Sequence, residues 1–360
     1  MRRAWLASLA LGALTLAGAA RADTPPSPWE IAKDPRARET WAVHAEYERL
    51  MTSAEAMRVI ARAPMDNSNG WVLKACGVLE DADARHSSDP RLVFDLGTCL
   101  EDHRVARHIE AAEVLGEALR RWPDHPMAEA AWLEYAFANA RLERPLEERR
   151  AYEKFLALAT EPQRRLVPML NMAEADMRAG DLATAVAGYR GVLQDAAGLP
   201  NTDSTVQTTI LAKWGLAVAL DRQGDVFGAQ RTAKQATEMD GPPDATGTYA
   251  RQGRGFRKTV ILDQESVFFV PAYERNWYLA LGEAELAKAE ADPRKALEHW
   301  RATEAFWTAY VAGARGAKVP DRWVDMADKH LAQTKARRAD AQARVAKLPA
   351  VVQPTGVFID

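Results

Sequence analysis

The stretch Met172-Ala173-Glu174-Ala175-Asp176-Met177-Arg178-Ala179-Gly180-Asp181-Leu182-Ala183-Thr184-Ala185-Val186-Ala187-Gly188-Tyr189 decides how this chain folds. It is rich in alanine and apolar at helical spacing, and it breaks once, at Gly180-Asp181. Glycine just past a helical run ends the helix, because it takes the left-handed conformation that side chains resist. The next helix begins at Leu182. The stretch predicts two antiparallel helices that approach closely at Ala173 and Ala185.

Working outward, the same crude unit recurs five times. The small residues of the first helices are Gly97, Ala136, Ala173, Ala217 and Gly282, and the alanines of the second are Ala111, Ala151, Ala185, Ala229 and Ala296. A helix pair cannot bury its apolar face alone and must stack on a neighbour. The expected fold is all-α: a solenoid of about five helix hairpins.

Punctuation elsewhere supports this. Asp89-Pro90, Pro126, Pro145 and Asp292-Pro293 read as helix starts, Thr160-Glu161-Pro162 reads as a helix end, and Gly224-Asp225 repeats the Gly180-Asp181 break. The expected organisation is a leader and helices over 23–89, repeats over 90–240, a loop and β-hairpin or extended arm over 241–271, a helix pair with a capping helix over 272–347, and a tail over 348–360. The hairpin is expected at 256–262 and 266–270, where β-branched and aromatic residues cluster. The first helix, 36–62, is expected to break near Thr52-Ser53.

Residues 1–22 read as a secretory signal peptide: Arg2-Arg3, an apolar run, then Ala20-Arg21-Ala22. Cleavage there takes three arginines and no acid, leaving 44 basic against 50 acidic side chains. That balance argues against nucleic acid as a partner. No later run is long and apolar enough for a membrane span. The expected location is periplasmic, with an extracellular one the alternative. In such an oxidising compartment Cys76 and Cys99 are expected to pair. Both lie on predicted helices, and the midpoint between them falls in the predicted turn 83–89, which sets the two thiols level in an antiparallel pair.

These units resemble the tetratricopeptide repeat family. One reads Met172-Ala173, Gly180-Asp181, Ala185 and Tyr189; another reads Leu216-Ala217, Gly224-Asp225, Ala229 and Ala236, with Pro242 one place late. Leu96-Gly97 with Ala111, Ala118 and Pro123 is looser, as is Leu281-Gly282 with Ala296 and Trp300; Ala136 with Ala151 and Phe155 is the loosest. The spacings of the first small residues run 39, 37, 44 and 65, against about 34 in an ideal array. The resemblance implies a concave groove lined by first helices and filled by a segment of a partner protein. Carried over position by position, it would be lined by Phe94, Leu133, Phe137, Leu170, Asn171, Trp214 and Leu279. Asn171 alone matches the family's clamp for a terminal carboxylate, so an apolar groove for an amphipathic or aromatic segment is implied.

Catalytic motifs are missing. The sequence has no Gly-x-Ser-x-Gly, no phosphate-cradling loop and no His-Glu-x-x-His. His103 and His108 are five apart, off a common helix face, and Glu80-Asp81-Ala82-Asp83 lacks the glycine and closing glutamate of a calcium loop. Neither an enzyme nor a cofactor nor a metal is expected. The cluster Arg251, Arg254, Arg257 and Lys258 forms a basic arm suited to an anionic partner. The sequence thus predicts an exported scaffold that binds proteins of the cell envelope in assembly, secretion or motility machinery. The alternative is a module that contacts peptidoglycan or another envelope glycan through the basic arm and exposed tryptophans, with Trp122, Trp132 and Trp214 as candidate anchors.

Overall fold

The computed structural model describes residues 34–60, 68–240, 249–251, 254–256, 269–319 and 321–349. These form thirteen α-helices and one short hairpin. In order they are α1 Pro35–Ile60, α2 Ser68–Asp81, a 3-10 turn Ala84–His86, α3 Pro90–Glu101, α4 His108–Arg121, α5 Ala128–Arg141, α6 Pro145–Leu158, α7 Pro162–Ala179, α8 Leu182–Ala197, α9 Asp203–Gln223 and α10 Val226–Asp240. Strands β1 Tyr249–Arg251 and β2 Arg254–Phe256 follow, then α11 Arg275–Ala289, α12 Pro293–Gly316 and α13 Val324–Ala346.

Each helix packs on its successor, and first helices also pack on first helices: α1 on α3, α3 on α5, α7 on α9, α9 on α11. This is the all-α, helix-pair solenoid expected. The α5 and α7 helices meet far less than the other first-helix pairs. The signal-peptide residues 1–22 and most of the leader lie outside the described residues. No described helix is long and apolar enough to cross a membrane.

The two Gly-Asp breaks do the same work. Gly180 and Gly224 adopt φ of 90° and 91°. The N–H of the following aspartate reaches back to close the helix, Asp181 to the Asp176 carbonyl at 2.9 Å and Asp225 to the Leu220 carbonyl at 2.9 Å. Each aspartate then caps the next helix, accepting from Thr184 N at 3.1 Å and Gly228 N at 2.9 Å. Asp89 and Asp292 do likewise ahead of Pro90 and Pro293.

The small residues also serve as expected. A Cβ placed on Gly97 would stand 2.5 Å from the Leu115 side chain, and one on Gly282 would stand 2.7 Å from Trp214. Ala111, Ala151, Ala185 and Ala229 are fully buried; Ala296 is only half-buried. Cys76 and Cys99 form a disulfide, Cα to Cα 5.7 Å, across the 3-10 turn.

One expected break is absent. The α1 helix runs unbroken through Thr52-Ser53, where Ser53 Oγ donates to the Arg49 carbonyl at 2.9 Å. The α12 helix runs to Gly316. The described hairpin lies at Tyr249–Arg251 and Arg254–Phe256, antiparallel with Arg251 opposite Arg254. The hairpin expected at 256–262 and 266–270 lies almost wholly outside the described residues, as do Arg257 and Lys258.

The core is in two large blocks. One runs from Tyr47 to Ala138, the other from Leu170 to Ala327. Between them sits a small cluster of Ala136, Phe137, Ala151 and Tyr152, against which Phe269 packs.

Candidate interaction surfaces

The residues expected to line a groove are mostly interior. Phe94, Leu170, Asn171 and Trp214 are at most 2% exposed. Phe94 stacks on His125 at 5.4 Å, and Asn171 Nδ2 donates to the buried Tyr152 hydroxyl at 3.1 Å. Trp214 fills the space left by Gly282. These four are corrected to core side chains, because the helices packed around each of them bury it. Leu133 and Leu279 are half-buried against the core clusters. Phe137 packs between Tyr152 at 6.4 Å and Phe269 at 5.5 Å. The chain itself thus covers this position: Phe269 lies on Phe137, with the Arg141 guanidinium 5.2 Å from its ring. Phe269 fills the site where α5 and α7 diverge.

The expected tryptophan anchors are also partly interior: Trp122 and Trp132 are half-buried. The basic-arm residues Arg251 and Arg254 face each other in register in the hairpin backbone.

Sequence patterning did not expose the buried charges that thread the first helices. On α3 and α5, Glu101 Oε1 accepts from Arg141 Nε at 3.0 Å, with His108 Nδ1 3.7 Å away. Burial pushes the Glu101 carboxyl up to about 7 against the pull of Arg141. Burial, then the charges of Glu101 and Asp102, push Glu134 up to about 8. On α6 and α7, Arg178 is held between Glu148 and Glu174, all three buried. Burial raises both carboxyls, Glu148 to about 7. On α9, Arg222 pairs with Glu274 just before α11. Asp221 accepts from Trp277 Nε1 at 2.9 Å and has His330 Nε2 3.1 Å away. These charges are mutually engaged: Glu101–Arg141 and Asp221–Trp277 join successive first helices, and Glu148–Arg178 joins the second helix α6 to α7.

Some apolar residues are exposed. Ile109, Leu146 and Phe227 are 59%, 57% and 85% exposed. Each is the second residue of a second helix, in α4, α6 and α10. The three share one helix position, which α8 fills with Ala183, and Val226 beside Phe227 is 46% exposed. Exposed large apolar side chains at a repeating position mark a contact surface better than the same residues scattered singly.

A second surface lies over α12, between α11 and α13. Two adjoining clefts of about 270 and 220 Å³ share Lys288, Trp300 and Arg337.

No family model matches the chain, and no curated protein matches it. Similar solved structures include BtubC (BKLC) from P. vanneervenii, 17% identical over 59% of this chain and 95% of that one, with a TM-score of 0.39. A tetratricopeptide repeat protein from Parabacteroides merdae is 14% identical over 81% of this chain and 99% of its own, at 0.42. A signal-transduction ATPase with numerous domains and a tetratricopeptide repeat sensor, from Pyrococcus horikoshii, is 14% identical over 88% and 46%, at 0.41. Scores of this size carry nothing about partners or activity.

Proposed function

We propose that this chain is an exported, tetratricopeptide-like scaffold that binds segments of partner proteins in a cell-envelope complex, with a binding and not a catalytic role. The observation that carries the reading is the exposure of Ile109, Leu146 and Phe227 at one helix position, on a solenoid whose first-helix residues are largely engaged internally. The Cys76–Cys99 disulfide supports export, because such bonds persist in oxidising compartments.

The test places a photo-crosslinking amino acid at Phe227 in the native envelope, with Lys335, an exposed residue of α13, as control. A protein crosslinked from 227 and not from 335, and lost in a Leu146→Asp variant that folds normally, is the expected result. Equal labelling from both positions, or none from 227, would remove this position as the binding surface.

A further inference from the structure

We propose that His44, Glu48 and Asp95 form a site for a divalent transition-metal ion of the zinc class at the junction of α1 and α3. His44 and Glu48 are one turn apart on α1, a spacing that sets two ligands on one face. Asp95 approaches from α3, and one ligand atom of each residue lies within 4.8 Å of the others.

The surroundings of Asp95 strengthen this. It is 3% exposed, in a helix whose neighbouring Leu92, Val93, Phe94 and Leu96 are all buried apolar residues. A carboxylate enclosed in this way needs a cationic or hydrogen-bonding partner. His44 Nδ1, 2.5 Å from Asp95 Oδ2, is that partner here. The proton between these two atoms stands where a metal would enter. Entry requires the imidazole and carboxylate to part to roughly 3 Å, as metal–ligand distances of about 2.0–2.2 Å demand.

Charge and donor type also agree. With a neutral imidazole the three groups carry two negative charges. The nearby cation, Arg91, is turned to Asp89, Nη2 to Oδ2 2.6 Å and Nε to Oδ1 3.1 Å, with its guanidinium over the Trp41 ring at 5.4 Å. One imidazole with two carboxylates suits zinc better than calcium or magnesium, which take oxygen ligands. His44 is 18% exposed and Glu48 is exposed, so solvent can complete the coordination. The ion would fasten α1 to the first repeat.

The experiment is calorimetric titration of the metal-free full chain with Zn2+, repeated on Glu48→Gln and His44→Gln. Glu48→Gln alters an exposed side chain and preserves the fold. One equivalent is expected to bind with a dissociation constant on the order of micromolar or tighter, weakened at least about tenfold by either substitution. Co2+ bound to the wild type is expected to show visible bands that Glu48→Gln changes. Absence of binding, binding unchanged in both variants, or equal binding of Ca2+ would overturn the assignment.

Discussion

Arg222 and Glu274 form an enclosed ion pair across two repeats, Nη2 to Oε2 3.0 Å, with the guanidinium 4.6 Å over the Trp277 ring. Residues 241–268 separate the two in sequence, so this pair fixes where α11 resumes the solenoid after the insertion. Removing one partner leaves the other charge buried, which typically costs about 3–5 kcal/mol. Glu274→Ala is expected to destabilise the chain by about 3 kcal/mol in urea unfolding. A loss under about 1 kcal/mol would show that Arg222 finds another acid or water.

The paired carboxyls of Glu101 and Glu134 make the α3–α5 joint sensitive to pH. Both are raised above the ordinary 4.5, to about 7 and about 8, chiefly by burial. A carboxyl raised on folding binds its proton more tightly in the folded chain. Its contribution is complete below about pH 4.5 and is lost as pH rises through 7 and 8. Glu134→Gln is therefore expected to stabilise the protein near pH 9, by on the order of 1–2 kcal/mol after allowance for solvent access at Glu134. Near pH 5 it should change little. Thermal melting across that range checks this, and a variant with the wild-type pH slope would refute it.

The Cys76–Cys99 disulfide closes a loop of 23 residues. In the chain-entropy model such a bond contributes roughly 3 kcal/mol. The double Cys→Ala variant is expected to lose about that much, and hydrogen exchange should localise the loss to α1–α4. A uniform loss along the chain would instead mean that the two core blocks unfold as one.

The signals legible in the sequence were local. Gly180-Asp181 and Gly224-Asp225 mark the helix ends within two residues; that each aspartate also caps the next helix emerged only from the structure. The Cys76–Cys99 pairing followed from helical rise and one turn. Four of the expected groove residues lie in the core: apolar periodicity shows that Phe94, Leu170 and Trp214 face inward but not which helices they meet. The covering of Phe137 by Phe269 depends on a contact 132 positions apart in sequence. The described hairpin at Tyr249–Arg251 and Arg254–Phe256 was not anticipated, because it rests on segments too short for periodicity to score. The His44–Asp95 contact needed the register of α1 on α3, which neither helix encodes alone.

The division of the core at α5–α6 has a mechanical meaning. A solenoid with one continuous apolar spine behaves as a uniform spring, each repeat sharing the strain of bending. Here the spine narrows to Ala136, Phe137, Ala151 and Tyr152, with Phe269 wedged beside them. Bending is expected to concentrate at that waist instead of spreading evenly along the array.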